Sequence, residues 1–178
     1  SGSDRESLFC LECEEHHAFP SDMLLYAPPG KTAPPSYRDW DWATVLTDRV
    51  WCYQCEGPSY LERIPCKREY EVAARFRMNP DIPRPEHVED ELLEVDELQF
   101  QFLVKHLARR QTSGLCLFCG SSSVQHLQLA MNRVVNLRHP YCDGTLRFDR
   151  FFINGYGERT IRWFSVAGEP IEVQHDRF

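Results

Sequence analysis

The chain has 178 residues, 42 % of them hydrophobic and 12 % aromatic, with a formal net charge of -7. That size and composition suit one globular domain or two small ones and exclude disorder as the default. The negative balance disfavours attraction of the whole molecule to nucleic acid, and no run approaches the roughly 18 apolar residues of a membrane-spanning helix. The first residues lack the basic and apolar blocks of a signal peptide, so a cytoplasmic location is expected, and Ser1-Gly2-Ser3 reads as an expression scar.

From Leu8 to Phe19 the chain reads as a short strand entering a knuckle, Cys10-Leu11-Glu12-Cys13. A Cys-x-x-Cys turn places two sulfurs on one side of a tight loop, half of a tetrahedral metal site. His16 and His17 follow; with Cys52 and Cys55 completing a four-sulfur set, both read as polar surface residues rather than ligands. Asp22 to Ala27 is a short apolar run stopped by Pro28-Pro29-Gly30, and a loop containing Pro34 and Pro35 extends to Asp39. Trp40 and Trp42 flank Asp41 as candidate exposed anchors. Val50 to Tyr53 is strand-like, Gly57-Pro58 marks a turn, and Tyr60 to Ile64 is a further strand. The long interval from Cys13 to Cys52 reads as a proline-rich excursion.

After Pro65 the pattern becomes helical. Lys67 to Met78 is a helix stopped at Asn79-Pro80, with Cys66 a small buried residue at its start. Glu86 to Gln111 is one long helix or two abutting ones. Leu92, Val95, Leu98, Phe102, Leu103 and Leu107 form its apolar face, and Asp96 with Gln99 offers a cap for a second helix.

Gly114 ends the helical region. Cys116-Leu117-Phe118-Cys119-Gly120 and His139-Pro140-Tyr141-Cys142-Asp143-Gly144 form two more knuckles, joined by a hairpin of Val124 to Leu129 and Arg133 to Leu137. Thr145 to Ile153 is a strand ending at the turn signal Asn154-Gly155, and Thr160 to Val166 with Pro170 to Val173 forms a last hairpin around Ala167-Gly168. Three thiolates and an imidazole at Cys116, Cys119, His139 and Cys142 leave no open position, which argues for structural zinc. With Cys10, Cys13, Cys52 and Cys55 as the other set, two zinc ions are expected. Glycine after Cys119 suits a left-handed residue there, and Asp143-Gly144 serves the fourth knuckle in the same way.

Over Leu115 to Phe148 the sequence resembles bacterial zinc-ribbon proteins, in which a Cys-x-x-Cys-Gly knuckle pairs with a His-Pro-x-Cys-x-Gly knuckle. The resemblance is weaker over Phe9 to Ile64, where Glu14 and Glu56 replace the glycines. It implies a rubredoxin-like or zinc-ribbon module at each end of a bacterial or phage-borne chain. The expected fold is therefore α+β: two zinc-ribbon-like β modules, at 4–65 and 114–178, bridged by a helical segment at 66–113.

Charge divides unevenly. Residues 1–111 carry 21 acidic and 13 basic side chains, net -8, and residues 112–178 carry 6 and 7, net +1. With no convincing nucleophile and no phosphate-binding glycine loop, the expected function is non-catalytic protein recognition of inhibitor, immunity or adaptor type, directed at a basic partner. A first alternative is nucleic-acid binding through Arg147, Arg150, Arg159 and Arg162 interleaved with Phe148, Phe151, Phe152, Trp163 and Phe164. A second is a deaminase-like zinc hydrolase, with His87, Cys116 and Cys119 on the metal and Glu89 moving protons.

Overall fold

A computed structural model of the chain describes residues 2–28, 43–109, 111–154 and 159–176. The loop of Pro34, Pro35 and Asp39, the anchors Trp40 and Trp42, and Gly155 of the expected turn lie outside these residues. The strands are β1 (Gly2–Cys10), β2 (His16–Ala18), β3 (Met23–Tyr26), β4 (Ala43–Thr44), β5 (Thr47–Cys52) and β6 (Gly57–Glu62). Helices α1 (Lys67–Met78), α2 (Asp90–Leu93) and α3 (Glu97–Arg109) follow. The chain closes with β7 (Val124–His126), β8 (Val134–Arg138), β9 (Thr145–Asn154), β10 (Arg159–Phe164) and β11 (Pro170–Asp176). Strands and helices together make a mixed α+β fold, and among the described residues no helix is long and apolar enough to cross a membrane.

The strands form three sheets, in the orders β2-β1-β9-β8, β11-β10-β3-β4 and β6-β5-β7. Each combines strands that precede the helices with strands that follow them. β1 runs antiparallel to β9 over its whole length, from Gly2 opposite Asn154 to Cys10 opposite Leu146, so Gly2 and Ser3, expected as a scar, continue the strand. β3 lies parallel to β10, and β5 takes β7 as its second neighbour. The expected β7–β8 hairpin does not form: β7 pairs with β5 and β8 with β9. The Asn136 side chain bridges the two strands instead, accepting from Gln128 N and donating to His126 O. Gly57 and Pro58, expected as a turn, open β6 opposite Cys52 and Trp51. β6 is an edge strand, where proline's missing donor is tolerated.

Burial follows from these positions. β5 is the middle strand of its sheet, and Val50, Trp51 and Cys52 are all buried. β9 alternates, sending Leu146 and Phe148 inward to meet Leu8, Cys10, Phe19, Trp51 and Val135 in one core. α1 has the expected bounds, with reciprocal bonds between Cys66 and Glu69 capping it. Cys66 is exposed, however, not buried; its sulfur accepts from the Glu69 amide, and a capping side chain has to reach past the helix end. The later helical stretch breaks in two at Asp96, whose backbone and side chain exchange bonds with Gln99.

A buried polar quartet joins helix to sheets. Glu62 at the end of β6 accepts from the Tyr26 hydroxyl and meets Arg109 Nη2 at 2.6 Å. The His106 ring lies 3.9 Å from that of Tyr26, and its Nδ1 is 3.3 Å from Arg109 Nη2. Burial pushes the His106 imidazole down to about 4, against the smaller opposing pull of Glu62. The unfolded chain takes up this proton near pH 6.5, so the neutral ring's contribution to stability is complete above that pH and is lost as pH falls toward 4. Between pH 7 and pH 5 the wild type is expected to lose up to about 2 kcal/mol more stability than a His106→Gln variant. Unfolding free energies of both proteins at pH 7 and pH 5 would check this.

Candidate metal centres

Four knuckles share one backbone form. In the first, Cys10 N donates to Glu15 O at 3.0 Å and Glu14 N to Cys10 O at 2.9 Å. The same two bonds recur from Cys116 to Ser121 with Gly120, and from His139 to Gly144 with Asp143. In the remaining knuckle Cys52 stands opposite Gly57 in the β5–β6 ladder. The residue after the second ligand is left-handed in every case, with φ of 58° at Glu14, 59° at Glu56, 75° at Gly120 and 55° at Asp143. The two glutamates that stand where the resemblance has glycine therefore adopt glycine's conformation.

All eight expected donors come together, but in a different combination from the expected one. Cys10 and Cys13 join His139 and Cys142 in one group, and Cys52 and Cys55 join Cys116 and Cys119 in the other. Each centre is built from one knuckle of the first half of the chain and one of the second. The expected sets, Cys10, Cys13, Cys52, Cys55 and Cys116, Cys119, His139, Cys142, are not formed. The physical reason is strand register: β1 delivers Cys10 against Leu146 of β9, beside the His139–Cys142 knuckle, and β7 carries the strand after Cys119 onto Cys52.

The geometry fits a tetrahedral ion. Cys10 and Cys142 sulfurs are 3.4 Å apart, and His139 Nδ1 lies 3.6 Å from Cys13 and 3.1 Å from Cys142. In the second centre Cys52 and Cys119 are 3.5 Å apart, and Cys55 and Cys116 are 3.8 Å apart. Four ligands about 2.3 Å from a zinc ion would be separated by about 3.8 Å, whereas a disulfide needs about 2.05 Å. The thiols are free. At Cys116 burial alone raises the thiol pKa, but the Ser59 hydroxyl at 2.9 Å and the amides of Phe118 and Cys119 outweigh it and bring it down to about 7. At Cys10 burial is likewise outweighed, by the amides of Cys13 and Glu12, so the thiol lies below its ordinary value. Both groups are biased toward the thiolate that a metal requires.

The two centres touch. Trp51 precedes Cys52 in β5, and its buried ring stands edge-on 5.9 Å from His139. Desolvation raises the phenol pKa of Tyr141, between His139 and Cys142, and Glu56 of the Cys52 knuckle lies near enough for its carboxylate to help raise it. Within the first centre a Cβ on Gly144 would lie 2.7 Å from Cys10 Sγ and 2.7 Å from Glu12 Cγ. Gly144→Ala is therefore expected to force the two knuckles apart, costing about 1–3 kcal/mol as overpacking does and loosening the metal. Thermal unfolding together with metal content would show it.

Ser59 and His17 were not legible as parts of these sites. The only signal for Ser59 is a hydroxyl in a strand of otherwise apolar neighbours, buried opposite Val50. His16 and His17 point to opposite faces of β2. His16 bonds Ser7 Oγ and stacks on Phe151, while His17 reaches the first centre, 4.6 Å from the His139 ring. Burial, then His139, holds the His17 imidazole below its usual pKa.

Other expected groups lie elsewhere. Exposed His87 joins no donor group among the described residues, and Glu89 stands 3.6 Å from Arg63. Cys116 and Cys119 complete their set with sulfur, which leaves the deaminase-like arrangement without its histidine. In the arginine and aromatic stretch, Arg147, Arg150 and Arg162 face Asp149, Glu6 and Asp22. Phe148, Trp163 and Phe164 are core residues. Compared with family models, with curated proteins and with solved structures, the chain gives no match.

Proposed function

We propose that this chain is a non-catalytic protein-recognition module of inhibitor, immunity or adaptor type, working in the cytoplasm on a basic partner surface, with structural zinc in both centres. The observation that supports it most is the face formed by the knuckle tips. Leu11, Tyr53 and Tyr141 are 44 %, 43 % and 63 % exposed, large side chains projecting from rigid turns. Around them stand exposed Glu12, Glu14, Glu15, Glu56 and Asp143. Glu12 lies beside Gly144 and Glu56 lies near Tyr141, so carboxylates from both knuckle pairs stand close to this turn. Three thiolates with one divalent ion, and four with another, add net negative charge beneath it. Aromatic anchors ringed by carboxylates suit lysine- or arginine-bearing partners.

Such a partner should co-purify from the native host in a stoichiometric complex that dissociates with rising salt. Tyr53→Ala and Tyr141→Ala are each expected to weaken it by about 2 kcal/mol, or roughly 30-fold, at unchanged metal content. Recovery of nothing, or equal recovery by both variants, would remove the support for this face.

A further inference from the structure

A third group of donors adjoins the first centre. Cys13 Sγ, a Glu15 carboxylate oxygen and a ring nitrogen of His17 all lie within 4.8 Å of one another. They occupy alternate positions in five residues, where the knuckle runs out into β2. His17 Nε2 is buried without a hydrogen-bond partner in the structure. Its ring is packed between the rings of His139, at 4.6 Å, and Trp51, at 5.7 Å, and an unpaired nitrogen in such a place is costly unless something binds it.

We propose that Cys13, Glu15 and His17 hold an additional, exchangeable divalent metal ion that shares the Cys13 thiolate with the first centre. The inference rests on reading the first centre as a metal site. Charge favours the second ion. Three thiolates and a neutral imidazole around one divalent ion leave a net charge of about -1, Glu15 makes it about -2, and a second divalent ion brings the cluster to neutrality. One sulfur, one nitrogen and one oxygen donor suit a borderline ion such as zinc or cobalt rather than magnesium or calcium. Three protein donors leave a position for water, as in open zinc sites, so this ion exchanges where the closed centres do not. Glu15 is exposed and faces solvent with Cys13, which gives the ion a path in.

The test uses the whole chain carrying its tightly held metal, dialysed against rising free Zn²⁺ and assayed for metal per chain, with Co²⁺ absorption in parallel. Wild type is expected to take up one further equivalent. The added Co²⁺ should increase the thiolate-to-metal charge-transfer band, because Cys13 is a shared ligand. Glu15→Gln and His17→Ala should each keep the tightly held metal and lose the further equivalent, its affinity falling by more than about tenfold. Saturation of wild type at the two closed centres overturns the proposal and leaves those centres standing. A chain that holds no metal at all overturns the reading beneath it. Equal uptake by both variants marks an adventitious ion, and loss of tightly held metal in His17→Ala would place His17 inside the first centre; either outcome overturns the proposal.

Discussion

Replacing Cys116 with alanine is expected to release one metal ion and to loosen two stretches distant in sequence, residues 47–62 as well as 115–126. Cys116 shares its centre with Cys52, Cys55 and Cys119, so the site clamps the β5–β6 turn to the segment that enters β7. Structural zinc contributes apparent folding free energies of about 10–16 kcal/mol, most of which is forfeited when a ligand is removed. The β5–β7 ladder is short, only Val50 to Cys52 against Val124 to His126, and gives little pairing of its own to hold the clamp shut. Cys142→Ala should act at the other centre and free residues 2–18 together with 134–150. Hydrogen exchange read residue by residue would separate this from independent end modules. In that arrangement Cys116→Ala would leave 47–62 as protected as before, and such a result would refute the interlocked pairing.

The donors were legible because Cys-x-x-Cys is a local pattern, whereas the combination of knuckles is not local at all. It depends on β1 finding β9, with Cys10 registered on Leu146 across most of the chain, and nothing in the spacing of cysteines encodes that register. Resemblance over Leu115 to Phe148 pointed to a self-contained ribbon, and the observed sheets divide that same stretch between two sites. Glu14 and Glu56 looked like departures from the knuckle form. Both are left-handed all the same, at a steric cost of about 1–2 kcal/mol each, which the recurring turn and the ligand geometry must offset. The helix bounds at Lys67 and Met78 were readable because proline and asparagine punctuate them. His17 was not, since the direction of a side chain on a three-residue strand follows from what that strand pairs with.

Glu62→Ala is expected to be among the most damaging substitutions that leave every metal donor in place. Its carboxylate is 1 % exposed and Arg109 is 19 % exposed, so the pair lies almost out of reach of water. The second oxygen takes the Tyr26 hydroxyl, and burial, then Glu62, pushes the Tyr26 pKa far above its ordinary value, so the phenol stays a donor. The Ala167-Gly168 turn packs directly on the pair. Gly168 has a φ of 82°, and a Cβ there would lie 2.6 Å from Arg109 Nη1. Four elements thus meet on one carboxylate: β3 through Tyr26, β6 through Glu62 itself, α3 through Arg109, and the β10–β11 turn. Deleting it leaves a guanidinium buried without its counter-charge, a change that typically costs about 3–5 kcal/mol. Tyr26→Phe removes one hydrogen bond and should cost only about 1–3 kcal/mol. Replacing Glu62 and Arg109 together with leucine and methionine should recover much of the loss, because an apolar pair carries no stranded charge. Glu62 stands opposite Thr47, at the end of the β5–β6 ladder away from Cys52, so metal content is expected to stay unchanged while the denaturation midpoint falls. If Glu62→Ala proves as mild as Tyr26→Phe, the pair is solvated in solution and does not join the helices to the sheets.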